Sequence, residues 1–318
     1  MHLWFHRTAA ACAMLALLCS PVRALTFLSV GSGELDGGYY RVVRAICDAA
    51  NAAFRSELRC SAEPTPGSIY NLIALSQGDL DLALVQSDWL VHARRGTSVF
   101  ARHGPDARLR TVLPLYPEAV TLIVRRDAAI AGFGEIAGRR VDLGHPASGR
   151  RATMERLMEE YGLKSQDLGA TCELQPAAAL SALCAGAIDA LVLVAGHPNA
   201  RLGEVLDRCD AVIVPIVGPE AERLLAADEG FVPVVLEAYL YPAQPEAVET
   251  IAVRATLVAR DTMPDEPVRR IVEVIATQAA RLGEREALLK GLDPARLARD
   301  APVAPLHPAA ASVLGLTP

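Results

Sequence analysis

Apolar and polar positions along the chain follow two periods, one typical of strands and one typical of helices. The run LTFLSVG predicts a strand, and YYRVVRAICDAANAAF predicts a helix with Val42, Val43, Ile46 and Ala49 on one face. A second strand and helix, LRCSAEPT and SIYNLIALSQG, and two more strands, DLALVQ and LRTVLPLY, follow. Strands that alternate with helices of this length predict an α/β fold with a parallel sheet covered on both faces.

The same order of elements recurs about a hundred residues later, a length typical of one domain. RVDLGHPASG, ATMERLMEEYG, CELQP, LSALCAGAIDALVLVAG and AVIVPI repeat the pattern, and each half contains a Gly-x-[Leu/Ile]-Asp site, at 78–81 and 186–189. We therefore predict two βα lobes, residues 25–117 plus 251–318 and residues 118–250. The chain crosses between them after LPLYPE and near TIAVRATLVAR, which predicts a hinge of two crossing strands and a ligand cleft between the lobes.

The first 24 residues have the pattern of a secretory signal peptide. Arg7 precedes the apolar core AAACAMLALLC, and VRA ends at Ala24 as a small-residue cleavage site. We expect cleavage after Ala24 and export to the periplasm, with an uncleaved membrane anchor as the alternative. No later apolar run approaches the roughly 18 residues of a membrane span.

Composition excludes several classes of function. Without Arg7 and Arg23, 29 basic and 37 acidic residues remain, a net charge near −8, and no basic tract marks a nucleic-acid partner. The sequence has no CxxC and no Cys/His cluster at zinc spacing, so we expect no metal. It has no GxSxG, HExxH or Walker motif. In GSGELDG the third glycine comes one position late for a dinucleotide site, so we expect neither a cofactor nor an enzyme.

Five cysteines follow the predicted signal peptide, and an exported protein keeps disulfides. We predict Cys47–Cys60, between the first helix and the neighbouring strand, and Cys184–Cys209 in the second lobe, with Cys172 free. Cys172–Cys184 is the main alternative.

Two turns carry candidate anion-binding chemistry. AEPTPGSIYNL places Thr65, Gly67, Ser68 and Asn71 where a strand gives way to a helix, and ASGRRAT places Ser148, Gly149, Arg150 and Arg151 at a second helix start. The first N–H groups of a helix have no internal partner and can hold an anion. A helix capped by Ser68 is the alternative for the first turn. Adjacent helical residues point about 100° apart, so we expect one of the two arginines to face the cleft.

Further candidates follow the ends of other predicted strands. They are Gly38, Tyr39, Gln86, Ser87, Glu118 on the hinge, and Tyr239. A structural hydrogen bond is the alternative for Glu118, and Asp88 is the better candidate for a helix cap. His197 is expected to be a satisfied loop histidine. Glu34 and Asp36, if they face the cleft, would disfavour a dianionic solute.

Five segments in order resemble one known family over nearly all of the mature chain: GSGELDGGYY, AEPTPGSIYNL, GDLDLALVQSD, LYPEAV and GHPASGRRAT. The resemblance is to the TAXI family, the solute receptors of TRAP-type transporters. It implies a type II periplasmic-binding-protein fold that holds a small carboxylate, an organic acid or acidic amino acid, and delivers it to a TRAP-type membrane permease. We expect the protein to be a monomer. A ligand-sensing module that acts on a membrane signalling protein is the alternative function. Pro66 stands where the family has glycine, which stiffens that turn.

Overall fold

The computed structural model describes residues 25–300 and 303–317, so the predicted signal peptide, residues 1–24, lies outside the described residues. The strands are β1 Thr26–Gly31, β2 Leu58–Glu63, β3 Leu82–Gln86, β4 Leu109–Arg125, β5 Arg140–Asp142, β6 Ala170–Cys172, β7 Ala190–Ala195, β8 Ala211–Val214, β9 Val232–Leu236 and β10 Val248–Arg260. The α-helices are α1 Gly38–Ala53, α2 Ser68–Gln77, α3 Ser87–Arg95, α4 Gly149–Glu160, α5 Pro176–Cys184, α6 Ala200–Arg208, α7 Pro219–Ala227, α8 Asp265–Thr277, α9 Ala279–Arg285, α10 Pro294–Asp300 and α11 Pro308–Leu314.

The strands form one mixed sheet in the order β2-β1-β3-β10-β4-β7-β5-β6, with β8 paired to β4 and β9 paired to β10. Strand β1 is parallel to β2 and β3, and β5 is parallel to β6 and β7. These two parallel sets are the central strands of the two predicted lobes. We call the lobes lobe 1 (β1–β3) and lobe 2 (β5–β9), where β8 and β9 are antiparallel to β4 and β10. The structure confirms the predicted α/β class.

Two long antiparallel strands, β4 and β10, run from one lobe into the other. Strand β10 pairs with β3 of lobe 1 through Ala255–Ala259 and with β9 of lobe 2 through Val248–Ala252. Strand β4 pairs with β7 of lobe 2 from Ala119 to Val124. The strand predicted to end at Tyr116 therefore continues to Arg125. The two crossing strands form the predicted hinge, and the lobe boundaries at 117/118 and 250/251 stay a prediction.

The repeated Gly-x-[Leu/Ile]-Asp site has the same structural role in each lobe. Asp81 accepts a hydrogen bond from the backbone N–H of Ser29 in β1 at 2.8 Å, and Asp189 accepts one from the backbone N–H of Arg140 in β5 at 2.9 Å. In both cases a carboxylate fixes the first strand of its lobe beside the strand that follows the motif. The motif is therefore structural, and it reflects the internal repeat.

Each lobe has its own apolar core on the faces of its sheet. In lobe 1, Val42 and Ile46 of α1 belong to one buried cluster with Leu28 and Leu84 of the sheet. In lobe 2, Leu157 of α4 belongs to a cluster with Val120, Val141 and Val192. The predicted apolar face of the first helix is thus the face that packs on the sheet, as burial of apolar area requires.

Both predicted disulfides are present. Cys47 of α1 is bonded to Cys60 of β2, with 4.9 Å between their Cα atoms, and Cys184 of α5 is bonded to Cys209, with 5.2 Å. Cys172 is free. The pairing follows from neighbouring elements, because each bond ties a helix to the chain segment beside it.

One strand lies earlier than its sequence pattern indicates. CELQP, at 172–176, predicts a strand, whereas β6 ends at Cys172 and Pro176 is the first residue of α5. Proline is well suited to the first position of a helix, because its fixed φ is helical and its missing N–H would have no partner there.

Candidate ligand-binding site

A cavity of about 860 Å³ lies between the two lobes. The segments that follow β1, β2, β5, β6 and β7 line it, together with Gln86 at the end of β3, Glu118 of β4 and residues 285–288. Ligands of open α/β sheets bind at the carboxyl ends of strands, and the cavity occupies that position in both lobes at once. Its volume lies in the range of small-molecule sites.

Nine of the fourteen predicted ligand-binding residues line this cavity: Gly38, Tyr39, Gly67, Ser68, Gln86, Glu118, Ser148, Gly149 and Arg150. They come from both lobes and from the hinge, as the two-lobed arrangement predicted. Their contact with a ligand stays a prediction.

Three predicted residues, Thr65, Asn71 and Ser87, are buried behind the cavity wall and hold backbone in place. Thr65 Oγ1 donates to Ser32 O at 3.0 Å, and Asn71 Nδ2 donates to Ser32 O and Leu84 O at 2.8 and 2.9 Å. Ser87 Oγ donates to Gly230 O at 2.6 Å. The prediction that they face the ligand is corrected, because none of the three lines the cavity and the groups that they donate are bound to backbone carbonyls.

The first turn of α2 opens on the cavity, but its cap differs from the expected one. The N-cap is Gly67, at φ 115°, and Ser68 is the first helical residue. Ser68 Oγ accepts a hydrogen bond from Gln86 N at 3.1 Å, so its side chain joins α2 to the end of β3. Glycine tolerates this positive φ without strain, which explains the Pro66-Gly67 sequence before the helix. The alternative in which Ser68 caps α2 is therefore wrong, because Gly67 is the N-cap.

The first turn of α4 faces the same cavity from lobe 2. Ser148 is its N-cap and accepts a hydrogen bond from Arg151 N at 3.1 Å. Its hydroxyl donates to His145 O at 2.7 Å. The cavity lining thus contains the positive ends of two helix dipoles, one from each lobe, an arrangement that favours an anion.

Arg150 is the arginine that lines the cavity, and it is 6% exposed. Its Nη1 donates to Asp142 Oδ2 at 2.7 Å and to Val192 O at 3.2 Å, and its Nη2 donates to Leu174 O at 2.5 Å. Asp142 is fully buried. The guanidinium is therefore fixed in one orientation by an ion pair before any ligand arrives.

Arg151 points away from the cavity, to Glu155 at 2.7 Å and Glu173 at 2.6 Å. Tyr239 is 72% exposed and also lies outside the cavity lining. Tyr241, two residues later, lines the cavity instead. One of the two arginines thus faces the cavity, as expected, and it is Arg150. The prediction for Tyr239 is wrong by two positions, because residues 237–247 form neither a helix nor a strand and the direction of a loop side chain has no regular period.

Glu118 lines the hinge side of the cavity and is also held by a structural hydrogen bond. Tyr39 Oη donates to Glu118 Oε2 at 2.6 Å. Burial raises the pKa of Glu118 to about 8, against the opposing effect of this hydrogen bond. The carboxyl therefore carries its proton at neutral pH, so it adds little negative charge to the wall.

His197 is a satisfied loop histidine, as expected. Its Nδ1 lies 2.6 Å from Tyr241 Oη and its Nε2 lies 3.0 Å from Thr121 Oγ1. Burial lowers the pKa of His197 to about 4, so the ring is neutral. It positions Tyr241 in the wall.

The two lobes touch beside the cavity. An added Cβ on Gly149 would lie 1.5 Å from Gln86 Oε1 of lobe 1. Trp89 Nε1 donates to Gly149 O at 3.1 Å, and Thr153 Oγ1 donates to Asp88 Oδ2 at 3.2 Å. The two lobes are therefore in direct contact on this side of the cleft. Asp88 was the expected helix cap, but the N-cap of α3 is Gln86. Asp88 instead accepts the interlobe hydrogen bond from Thr153.

Several buried polar atoms around the cleft have no hydrogen-bond partner within the described residues. Gln86 Oε1, Tyr116 Oη and Arg150 Nε are among them. Buried polar groups are almost always paired, so these atoms are available to bind water or a ligand in the cleft.

Sequence reasoning missed a set of charged residues around the cavity: Arg41, Arg201, Arg285 and Glu286. Arg285 and Glu286 come from the far end of the chain, and no local motif marks them. Glu34 and Asp36, whose position was left open, also line the cavity. Burial and the neighbouring Asp36 raise the pKa of Glu34.

Among residues 25–300 and 303–317, no three His, Cys, Asp or Glu side chains are grouped to hold a metal ion. Within the same ranges, every helix is too short or too polar to cross a membrane.

Comparisons with known proteins show the fold and the family. The chain is similar to a Xanthomonas citri protein bound to ATP (14% identity, TM-score 0.54, covering 91% of this chain and 94% of that one). It is similar to PhnD1 from Prochlorococcus marinus in complex with methylphosphonate (14% identity, TM-score 0.51, covering 82% of this chain and 88% of that one). It is also similar to the effector-binding domain of QuiR in complex with shikimate (10% identity, TM-score 0.50, covering 79% of this chain and 95% of that one). At these identities the similarity shows the fold. The NMT1-like family matches residues 30–314, and the chain belongs to that family.

Proposed function

We propose that the protein is a periplasmic solute-binding receptor that captures a small carboxylate between its lobes and delivers it to a TRAP-type permease. One observation carries the proposal: two helix starts and the buried Arg150 converge on one interlobe cavity. This arrangement suits an anion that is enclosed when the lobes close. The TRAP-type partner and the periplasmic location come from the resemblance to the TAXI family and from the predicted signal peptide.

The proposed ligand is held from both lobes. Backbone N–H groups at the first turns of α2 and α4 contact the carboxylate, and Arg150 supplies the fixed positive charge. A hydrogen bond to a charged group contributes roughly 1.5–3 kcal/mol. Four or five of them supply the roughly 8 kcal/mol of micromolar binding before ordering costs. The receptor performs no chemistry on the solute.

A ligand-sensing role is the second candidate, because the QuiR domain of similar fold is an effector-binding domain. Both roles require the same solute-binding cleft. Uptake of a bound solute by proteoliposomes that contain a TRAP-type permease from the same genome separates them, because a sensor would not support uptake.

Binding is tested by calorimetry on the mature protein after bound ligand is removed, and mass spectrometry identifies what the native protein releases. We expect a carboxylate among the released compounds, micromolar binding and unchanged solute after incubation. Release of a neutral or cationic solute would contradict the proposal that the ligand is a carboxylate. Release of an anion similar to methylphosphonate would replace the carboxylate by another anionic headgroup. Chemical conversion of the solute would contradict the proposal that the protein is a receptor.

Gly149→Ala tests the closed cleft. Its new methyl group occupies the place of the Gln86 carboxamide, so either the lobes stay apart or Gln86 is displaced. We expect affinity to fall at least about tenfold, or roughly 1.4 kcal/mol. Gly132→Ala is the matched control, because an added Cβ there meets no atom within 4 Å. Equal affinities for the two variants would show that this closed contact is not the binding form.

A further inference from the structure

The cavity is large for a short dicarboxylate. Its volume of about 860 Å³ lies near the upper end of small-molecule sites. A compact diacid whose two carboxylates are clamped at the helix starts would leave most of this space without contacts. The shape of the remaining space therefore carries information about the rest of the solute.

One side of the cavity is apolar. Pro176, Ala177 and Leu180 at the start of α5 line it with Leu193 of β7, and Leu288 closes it from the C-terminal part of the chain. We call these five residues the apolar wall. An added Cβ on Gly196, at the end of β7, would lie 2.5 Å from Leu288 Cδ2, so Leu288 packs directly against lobe 2.

The apolar wall begins beside the guanidinium of Arg150. Arg150 Nη1 donates to Val192 O, next to Leu193, and Arg150 Nη2 donates to Leu174 O, two residues before α5. A solute whose carboxylate lies at Arg150 therefore has the apolar wall within reach of its next atoms.

The other cations of the cavity are already paired. Arg41 is bonded to Glu286 at 3.0 Å, Arg201 to Asp36 at 2.5 Å, and Arg285 lies 3.5 Å from Asp48. The lining also contains Glu34, which faces the same space. These three arginines are about half exposed, whereas Arg150 is buried and held in one orientation, so a second carboxylate would gain less from pairing than the first.

We propose that the solute is an amphipathic monocarboxylate, with its single carboxylate at Arg150 and the helix starts and a medium-length aliphatic chain or ring on the apolar wall. The proposal rests on the proposed function and narrows its substrate class. It makes chain length, rather than a second charge, the main determinant of affinity.

The test is calorimetry with acetate, butyrate, hexanoate and octanoate, alongside the dicarboxylates succinate, adipate and suberate. We expect affinity for the monocarboxylates to rise about fourfold with each added methylene, the value for transfer of that group out of water. Each dicarboxylate is expected to bind at least about tenfold more weakly than the monocarboxylate of equal length, because its second charge gains too little from pairing to offset its burial.

Ala177→Phe fills the space along the apolar wall, and Ala178→Phe is its matched control. Ala178 is the next residue of α5 but is exposed and outside the cavity lining. We expect Ala177→Phe to lower octanoate affinity more than tenfold and acetate affinity less than twofold. Ala178→Phe should change neither. A circular-dichroism melt within a few degrees of wild type establishes that both variants are folded.

The possible results separate this proposal from the receptor proposal. Affinity that does not depend on chain length, or dicarboxylates that bind more tightly than hexanoate, would overturn the amphipathic solute and leave a carboxylate receptor. If none of the carboxylates binds and the native protein releases no carboxylate, both proposals are wrong. Equal effects of Ala177→Phe and Ala178→Phe on octanoate would also exclude the apolar wall as its site.

Discussion

The start of α4 and the hinge segment of β4 each place a buried ionisable side chain against the same cavity. The charge of each side chain is offset in a different way. Arg150 keeps its charge and pairs with the buried carboxylate of Asp142. Glu118 accepts a hydrogen bond from Tyr39, and burial raises its pKa to about 8, so it carries its proton at neutral pH. Both side chains are about 5% exposed.

The difference shows how a cleft can be selective for one negative charge. A paired arginine supplies a fixed, oriented donor and only part of a free positive charge. A protonated glutamic acid supplies a polar surface that does not repel an anion. Together the two sites leave room for one carboxylate and little electrostatic gain for a second, which agrees with the acidic residues Glu34 and Asp36 on the same wall.

The largest effect is expected when the guanidinium of Arg150 is removed. Arg150→Ala leaves Asp142 as a buried carboxylate without a cation, so we expect the free energy of unfolding to fall by about 3–5 kcal/mol and carboxylate binding to be lost. Arg151→Ala, with partly exposed partners, should cost less than about 1 kcal/mol. Urea denaturation measures both.

A double variant identifies the cause of that loss. Arg150→Met with Asp142→Asn removes both charges, so it should recover stability relative to Arg150→Ala while it still fails to bind a carboxylate. If Arg150→Ala and Arg151→Ala are equally stable, the Arg150–Asp142 pair does not contribute as its burial indicates.

The fold was largely predictable from the sequence, because apolar periodicity fixes strands and helices and the repeat fixes two lobes. The two crossing strands followed from the same pattern, and so did the pairing of cysteines on neighbouring elements. The turns that form the cavity were also predictable, because strand ends in an α/β sheet share one edge.

The direction of individual side chains could not be predicted. Thr65 and Asn71 hold the backbone of Ser32, which is more than thirty residues away in sequence, and no local pattern shows that such a bond forms. Arg285–Leu288 reach the cavity from the C-terminal part of the chain. The partner of Arg150 was missed for the same reason, because Asp142 ends the short strand β5, eight residues before Arg150, and no local pattern marks the pair.

The next effect is expected at Glu118, where it is spread over a range of pH. Its pKa is raised in the folded state from 4.5 to about 8, so this group contributes stability that is fully present below pH 4.5 and is lost as pH rises toward 8. We expect the stability of wild type relative to Glu118→Gln to fall by about 1.4 kcal/mol per pH unit within that window. Urea denaturation from pH 4 to pH 9 measures the difference.

Glu249→Gln is the control for that titration, because Glu249 lies on β10 with its side chain exposed. It should show no such slope. A wild-type stability that runs parallel to Glu118→Gln across the window would mean that Glu118 is ionised in the folded protein, and the contrast with Arg150 would disappear.

The smallest effect is expected at Asp36–Arg201, an ion pair that links the two lobes at the cavity but is about half exposed, at 51% and 50%. Exposed pairs contribute about 0.2–1 kcal/mol and are screened by salt. Asp36→Asn should therefore speed release of the bound solute about two- to fivefold at low salt, and the difference should vanish near 1 M salt.

Trp89 is the one tryptophan after the predicted signal peptide, and its Nε1 donates to Gly149 O across the lobes. Its fluorescence in a stopped-flow chase therefore reports opening of the cleft.

Asp210→Asn is the matched control, because it removes the exposed Arg126–Asp210 pair within lobe 2, at 2.9 Å. If both variants release the solute at the wild-type rate, the Asp36–Arg201 pair does not hold the lobes together. If both release it equally fast, the effect is one of surface charge. A faster release in Asp36→Asn alone would leave burial as the property that separates Arg150 and Glu118, both nearly fully buried, from the half-exposed Asp36.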